Sequence, residues 1–390
     1  MVRCYHDNEP QEGKMKHKAL TAGEALSLAG KVDPKYRSVW DGRPAEDQAA
    51  LAKYFLPHDS GKPHLTPTRP RIIKWYCPFA PQSEFPSGHR YCINVYTGCA
   101  HQCAYCYAAS YAPENPACKK RFEELIQRDM EDPEEFDVPA APVHLCNSTD
   151  PFQPLEAISR HTRCALEQIL AHRHRFTTVT MITKNPMLAA RDGYLDLFRK
   201  LMEVPTNHPR LERFRQAGGP YFCVEVSLAF WQEAARKTYD QGAPTIESRK
   251  EGIRAIRNGG IPVVLRIDPL FPRSPLREDK TLADFGLPEA QTIGDLESLV
   301  AFAREAGIRH VVYSPAKIVQ PRGRKLFEVM RAMRSAYECV AWPERLRFHA
   351  GSWRLPPDVA KARVTQPFLD ICSRLQVRAK HCMQNLIETP

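Results

Sequence analysis

Six short apolar segments alternate with helix-like segments over most of this 390-residue chain, and this alternation limits the folds available to it. The apolar segments, rich in β-branched and aromatic residues, are Tyr91–Val95, Val143–Cys146, Thr177–Thr183, Tyr221–Leu228, Ile261–Ile267 and His310–Tyr313. The helix-like segments are Lys119–Met130, Ser159–His172, Met187–Met202, Ile246–Asn258, Ile293–Ala306 and Arg322–Arg334. Short buried strands joined by helices predict an α/β fold, a partial (β/α)6 barrel with N- and C-terminal extensions.

Polar residues recur where the predicted strands end. The run Asn147–Asp150 follows the second strand and Lys184 follows the third. Glu225 and Ser227 lie on the fourth, and Arg266 and Ser314 lie at the ends of the fifth and sixth. The carboxyl ends of parallel strands meet at one edge of the sheet, where barrels of this kind carry their active sites. The sequence therefore predicts one active site at this edge.

Three cysteines follow the first predicted strand in a C-x3-C-x2-C pattern, at Cys99, Cys103 and Cys106. Thiolates this close together on one loop can converge on a single iron–sulfur cluster. A cubane 4Fe–4S cluster has four irons, so three cysteine ligands leave one iron open to another ligand. The other cysteines are dispersed along the chain, which predicts one cluster.

Two other interpretations of the cysteines are open at this point. His101 with the three cysteines could form a Cys3His zinc site, although no second cysteine pair follows at the usual spacing. Disulfides are a further possibility, but 13 cysteines in 390 residues are far fewer than in small disulfide-rich scaffolds. The amino terminus lacks a signal-like segment and no apolar run approaches about 18 residues. We therefore expect a cytoplasmic protein without a membrane span, in which the thiols stay reduced.

The chain resembles the radical S-adenosylmethionine (SAM) superfamily and, within it, the spore photoproduct lyase-like family, from about Tyr91 to Pro356. The residues that carry the resemblance are Tyr96-Thr97-Gly98-Cys99 through Tyr107-Ala108, Ser148-Thr149-Asp150-Pro151-Phe152-Gln153-Pro154-Leu155-Glu156 and Ile182-Thr183-Lys184. Weaker similarity lies in Arg249, Gly260-Ile261-Pro262-Val263 and Gly351-Ser352-Trp353-Arg354-Leu355-Pro356.

The resemblance implies a 4Fe–4S cluster held by Cys99, Cys103 and Cys106, with SAM on the open iron. Reductive cleavage of SAM would give a 5′-deoxyadenosyl radical that abstracts a hydrogen atom from the substrate, and the electron would come from a reductant protein such as flavodoxin or ferredoxin. The residues implied or expected to contact the cofactor are Tyr105, Ser148, Asp150, Lys184, Ser227 and Arg266.

Cys146 and Tyr107 are the two catalytic candidates. In lyases of this family a cysteine near the end of the second strand returns a hydrogen atom to a product radical, and a tyrosine beside the cluster loop relays it. A thiol suits this role because its S–H bond is weak. Free cysteine is also a common core residue, and a tyrosine on such a loop can serve packing alone.

Charge predicts three regions in the chain. Residues 1–75 form a basic extension with 13 Lys and Arg against 9 Asp and Glu, residues 76–335 the barrel, and residues 336–390 a basic region packing on it. The basic residues towards the carboxyl terminus that could hold phosphates are Arg322, Arg324, Lys325, Arg345, Arg347 and Arg354.

Three functions follow from these features. The first is thymine-dimer lyase-like DNA repair, with DNA or another nucleic acid as partner. The second is a radical SAM reaction on a small metabolite, a peptide or RNA. The third is a zinc-stabilised nucleic-acid binding protein.

Overall fold

The computed structural model describes residues 71–74, 91–113, 116–132, 141–203, 221–273, 281–321, 327–338, 345–349 and 351–382. The helices predicted near Gly23–Leu28 and Ala45–Tyr54, and nearly all of the predicted 1–75 extension, lie outside these residues. No helix in the described ranges is both long enough and apolar enough to cross a bilayer.

The central sheet contains eight strands in the order β1-β2-β5-β6-β7-β8-β9-β13, of which only β1 runs antiparallel to its neighbour. Two small antiparallel sheets, β3-β4 and β10-β12-β11, flank it. The strands are β1 (Ile73–Lys74), β2 (Tyr91–Ile93), β3 (Tyr96–Thr97), β4 (Ala117–Cys118), β5 (Ala141–Leu145), β6 (Phe176–Thr183), β7 (Phe222–Ser227), β8 (Val263–Leu270), β9 (His310–Pro315), β10 (Ile318–Val319), β11 (Arg347–His349), β12 (Ser352–Arg354) and β13 (Arg378–His381).

Helices connect successive parallel strands. The α-helices of the described residues are α1 (Phe122–Glu131), α2 (Glu156–Ser159), α3 (His161–Ala171), α4 (Pro186–Ala189), α5 (Tyr194–Met202), α6 (Glu233–Tyr239), α7 (Ile246–Asn258), α8 (Ile293–Glu305), α9 (Glu328–Glu338), α10 (Pro357–Ala360) and α11 (Gln366–Arg374). A π-helical turn, Lys361–Thr365, joins α10 to α11.

The predicted α/β fold with a parallel sheet is confirmed. All six predicted strands are present, and α7 has the predicted bounds, because Thr245 caps its first turn by accepting a hydrogen bond from Ser248 N and Gly259 follows its last residue. The C-terminal region adds a seventh parallel strand, β13, which sequence reasoning missed. Its four residues show no alternation of apolar and polar side chains, so the sequence alone does not indicate a strand there.

Three predicted boundaries were wrong in ways that affect the site. The helix predicted over Met187–Met202 is two helices, because α4 ends at Ala189 and the chain then turns through left-handed backbone conformations at Asp192 and Gly193 before α5 begins. Strand β5 ends at Leu145, and Cys146 has a φ of 61° outside the strand. Strand β8 continues to Leu270, so Arg266 lies within it rather than at its end.

Aromatic side chains fill the layer between the sheet and its helices. Phe198 of α5 lies 4.9 Å, centroid to centroid, from Phe222 of β7, and Phe152 lies at the same distance from Tyr194. All four rings are fully buried. This apolar layer fixes the helices against the outer face of the sheet and leaves the inner face to the polar residues described below.

Gly252 lets α7 approach α4 closely. A methyl group at this position would lie 2.4 Å from Met187 N, a backbone atom that cannot move aside alone. We expect Gly252→Ala to lower the free energy of unfolding by about 1–3 kcal/mol, measured by urea denaturation, because the two helices must separate. Gly294→Ala is the matched control, since its nearest atom is 3.8 Å away. An equal effect of the two substitutions would show that this close approach is not required.

Candidate functional site

A cavity of about 1590 Å³ occupies the inside of the partial barrel. All the predicted site residues border it: Cys99, Cys103, Tyr105, Cys106, Tyr107, Cys146, Ser148, Asp150, Lys184, Ser227 and Arg266. A closed barrel of eight strands fills its interior with side chains, whereas this barrel leaves room for ligands of considerable size. The prediction that these residues converge is therefore met by their positions, while their individual roles stay predictions.

The segment Gly98–Cys106, here called the cysteine loop, is fixed by backbone contacts to the end of α6. Ala104 N donates to Tyr239 O at 2.9 Å, and Gly242 N donates to His101 O at 2.9 Å. A methyl group on Gly242 would lie 2.4 Å from Ala100 O, so only glycine allows this approach. The loop therefore gains its shape from a segment about 140 residues further along the chain.

The run Thr149–Gln153 braces the cysteine loop from its other side. Thr149 Oγ1 donates to Gly98 O at 2.5 Å, and Gln153 Oε1 accepts from Ala100 N at 3.0 Å. Gln153 Nε2 also donates to Thr149 Oγ1 at 2.9 Å. Through these contacts the Ser-Thr-Asp-Pro-Phe-Gln segment holds the cysteine loop against the end of β5.

Asp150 joins the cysteine loop to the end of β6. Its Oδ1 accepts from Phe152 N and Thr183 Oγ1, while its Oδ2 accepts from Lys184 N at 2.6 Å and lies 3.1 Å from His101 Nε2. Burial raises the pKa of the carboxyl, but His101 and these donors outweigh it and lower the pKa below its usual value. The predicted contact of Asp150 with a cofactor stays a prediction, and the geometry gives it a positioning role.

Both ring nitrogens of His101 face partners outside the three cysteines. Nδ1 lies 3.2 Å from Gly242 O, and Nε2 faces Asp150. Among the described residues, no set of three His, Cys, Asp or Glu side chains is arranged to hold a single metal ion. His101, the histidine of the Cys3His interpretation, thus supports the cysteine loop through its contacts with Gly242 and Asp150.

The three thiols lie close enough for their charges to interact, and they are desolvated. Burial raises the pKa of Cys99 to about 12, and it also raises the pKa values of Cys103 and Cys106. Thiols in this environment ionise when positively charged metal centres bind them. Three soft donors on one loop beside an open cavity fit a cluster that leaves one metal corner accessible.

Lys184 is the centre of a buried network, here called the lysine network, that comprises Tyr105, Lys184, Ser227, Asp240 and Arg249. Its ammonium donates to Tyr105 Oη at 2.8 Å, Ser227 Oγ at 2.9 Å and Asp240 Oδ2 at 3.3 Å. Arg249, fully buried on α7, donates to Asp240 at 2.9 Å. Burial alone would lower the pKa of Lys184, but Asp240 raises it, so the lysine is charged beside the cysteine loop.

A second group of polar contacts lies on the side of the cavity formed by β5. Tyr107 Oη donates to Asn147 O, and Tyr111 and Ser148 join their hydroxyls at 2.7 Å. The rings of Tyr107 and Tyr111 are 6.2 Å apart. Cys146 precedes this group, and it borders the same cavity although the residue is only 2% exposed. Burial raises the pKa of Cys146 well above its usual value, so it keeps its proton at neutral pH.

On the neighbouring strands β7 and β8, Glu225, Arg266 and Asp268 form what we call the ion triad. Arg266 donates through Nη1 to Glu225 Oε2 and through Nη2 to Asp268 Oδ2, the second at 2.5 Å. Ser314 Oγ donates to Asp268 Oδ1. The guanidinium of Arg266 thus lies between two carboxylates. The predicted contact of Arg266 with a cofactor stays a prediction.

Sequence reasoning missed Asp240, and it placed Glu225 at the edge of the sheet without giving it a role. Asp240 carries no motif, and only its burial between two cations shows that it matters. Glu225 did carry a signal, because a charged residue inside an apolar strand is rarely buried without a reason. Its partner lies 41 residues later, which no local pattern reveals.

No family model matches the chain. Uncharacterised proteins from Mycobacterium bovis and Mycobacterium tuberculosis are each 27% identical over 197 residues, which are 47% of this chain and 50% of those proteins. An uncharacterised protein from Methanocaldococcus jannaschii is 22% identical over 185 residues, covering 47% of this chain and 62% of that protein. The chain thus spans about half the length of the mycobacterial relatives that it matches.

Among solved structures, a variant of spore photoproduct lyase has a TM-score of 0.47 at 13% identity, covering 75% of this chain and 76% of that one. A radical SAM methyltransferase from Kitasatospora setae, with cobalamin and a 4Fe–4S cluster bound, has a TM-score of 0.36 at 14% identity, covering 57% and 36%. Similarities of this size do not establish a shared activity.

Gly242→Ala tests whether the cysteine loop depends on its approach to α6. The added methyl group would meet Ala100 O, so we expect the loop to shift and the anaerobically reconstituted protein to retain less than half of the wild-type iron, measured by colorimetric iron assay. Gly294→Ala serves as the control. Wild-type iron content in Gly242→Ala would show that the contact does not position the thiols.

Proposed function

We propose that this protein is a radical SAM enzyme, in which Cys99, Cys103 and Cys106 bind one 4Fe–4S cluster. The observation that carries the proposal is the position of the three thiols on one braced loop that borders a large cavity, close enough to Lys184 for its charge to act on them. The C-x3-C-x2-C spacing alone suits several metals. The braced loop and the cavity together favour a cluster that has one corner open to a bound cofactor.

The residues of the cavity fit SAM as the ligand of that corner. SAM carries a carboxylate, and Lys184 supplies the positive charge that would bind it. A reduced cluster with bound SAM supplies a 5′-deoxyadenosyl radical, the species that abstracts hydrogen from unactivated carbon. The protein itself contributes the placement of the reacting groups, through the residues that line the cavity.

The arrangement of His101 favours the cluster over the zinc interpretation. A Cys3His zinc site needs the imidazole to share one point with the three thiols, at about 2.0–2.3 Å from each donor atom. Here Asp150 and Gly242 engage the imidazole instead. Releasing it would also remove a support of the cysteine loop.

Cys106→Ser tests the cluster assignment. Serine removes one soft ligand, so we expect iron to fall from about four atoms per chain to below one and 5′-deoxyadenosine formation from SAM under dithionite to stop. Cys164→Ser is the control, since this cysteine lies on α3 away from the cavity. Zinc at one atom per chain in the wild-type protein, with no iron, would refute the proposal.

The finer proposal is a lyase of the spore photoproduct type, in which Cys146 returns a hydrogen atom to a product radical. A hydrogen donor must be protonated and must face the substrate, and Cys146 is a thiol that borders the cavity beside Tyr107. Nucleic acid is the partner in this proposal. Of the basic residues predicted to hold phosphates, Arg345 and Arg347 are exposed and Arg354 borders the cavity, whereas Arg322, Arg324 and Lys325 lie outside the described residues.

Cys146→Ala separates the lyase from other radical reactions. With a dinucleotide spore photoproduct in deuterated solvent, we expect the wild-type enzyme to deliver deuterium to thymine and the variant to lose this transfer. Cys372→Ala is the control, because Cys372 is equally buried but does not border the cavity. Unchanged labelling in Cys146→Ala would remove Cys146 from the reaction, and no repair by either protein would point to another substrate.

A further inference from the structure

The cavity reaches both edges of the central sheet. Besides the residues that follow the strands, it is bordered by residues that precede them, namely Pro262 before β8, Ile308 before β9 and Val377 before β13. These strands are parallel, so the second group lies at the amino edge of the sheet, opposite the cysteine loop. The cavity therefore has an amino end, to which the proposed function gives no role.

Small and polar side chains keep the two ends of the cavity connected. Thr178, Thr180 and Cys223 border it from β6 and β7, at positions where closed barrels carry tightly packed Val, Ile and Leu. Arg309, directly before β9, and Ser314, near its carboxyl end, are separated by about 16 Å of extended strand. A ligand that contacts both ends must therefore be elongated.

Four arginines border the amino end, and we call them the arginine rim: Arg257, Arg304, Arg309 and Arg378. They belong to the segments that enter three neighbouring strands, β8, β9 and β13. Arg378 N donates to Arg309 O at 3.0 Å, and Arg257 Nε donates to Ala306 O at 3.3 Å, so these segments are joined to one another. Arg304, Arg309 and Arg378 are exposed, which shows that this end opens to solvent.

The carboxylates around the cavity do not balance the arginine rim. In the described part of the chain, those that border the cavity are Asp150, Glu225 and Asp268. Each of them is paired elsewhere, Asp150 with His101 and the other two with Arg266. Within these ranges the rim therefore concentrates positive charge at one end of the cavity.

The arginine rim is partly preorganised, and its charge acts on a neighbouring side chain. Arg257 donates through Nη1 to Ile261 O at 3.2 Å, a contact that holds the guanidinium without neutralising it. Burial lowers the pKa of His310, which borders the same end, and the charges of Arg378 and Lys380 lower it further. A positive field of this kind favours an anion in the space that it faces.

We propose that the arginine rim binds a terminal phosphate of an elongated substrate whose other end reacts at the cysteine loop. A terminal phosphate carries about two negative charges and three acceptor oxygens, which suits several guanidiniums at once. A carboxylate has one charge, and an internal phosphodiester has one charge with chain on both sides. The rim therefore favours a small phosphorylated molecule over a position within a DNA strand. The reaction at the cysteine loop rests on the proposed function, whereas phosphate binding at the rim does not.

Phosphorus NMR on the anaerobically reconstituted full-length protein tests the proposal. A mixture of equal amounts of inorganic phosphate and dimethyl phosphate is titrated with the protein at about pH 8, where inorganic phosphate is mainly a dianion. We expect the protein to broaden the phosphate signal about fivefold or more beyond the dimethyl phosphate signal, because dimethyl phosphate has a single charge and no terminal oxygens to spare. Equal broadening of the two signals, or broadening of neither, would overturn the proposal.

The double variant Arg309→Gln/Arg378→Gln locates the bound ion. Both side chains are exposed, so we expect a folded protein in which the broadening of the phosphate signal falls about tenfold. Arg254→Gln, one turn before Arg257 on α7 and away from the cavity, is the matched control and should leave the broadening unchanged. Phosphate binding that persists in the double variant would overturn the proposal, and its loss in Lys184→Gln would then place the ion at the cofactor end. Iron content and 5′-deoxyadenosine formation are measured separately, so a failure of the proposed radical chemistry and a failure of phosphate binding give different results.

Discussion

The attachment of the cysteine loop to two distant parts of the chain is the constraint on which the rest of the site depends. Asp150 connects the loop, through His101, to the end of β6, and the backbone at Gly242 packs against the backbone of the loop. Without both supports, a nine-residue loop with left-handed backbone at Gly98 and Gln102 would have many conformations, and few would bring three thiols together. The loop is therefore ordered by the completed sheet and not by its own sequence.

The cavity beyond the loop divides into two electrostatic regions. Near the cysteines, Lys184 and Arg249 share Asp240, which leaves one net positive charge beside the cofactor position. On β7 and β8, Glu225 and Asp268 share Arg266, which leaves one net negative charge. Opposite charges at separate positions around one cavity orient a polar ligand before any close contact forms, and they do so strongly because these groups are largely buried.

The fold was predictable because its signals are local, whereas much of the site depends on contacts that are not. Alternating apolar strands and helices, with Gly259 and Gly307 before strands, gave the parallel sheet and its carboxyl edge. That edge in turn brought Cys99, Cys146, Lys184 and Ser227 together. The pairing of Arg266 with Glu225 and the support of Lys184 by Asp240 arise from residues 41 and 56 positions apart, where periodicity carries no information. Strand β13 was missed for the same reason, because it forms by pairing with β9 while its own residues show no alternation of apolar and polar side chains.

Strand β13 makes the far end of the chain part of the barrel. It pairs in parallel with the side of β9 that β8 leaves free, and the register runs from Arg378 with His310 to His381 with Tyr313. Cys382, which follows the strand, borders the cavity. A truncation before Arg378 would leave the amide and carbonyl groups of β9 unpaired along one margin, and such margins recruit strands from neighbouring molecules. Strand β13 thus closes the open margin of β9 and at the same time supplies part of the wall of the cavity.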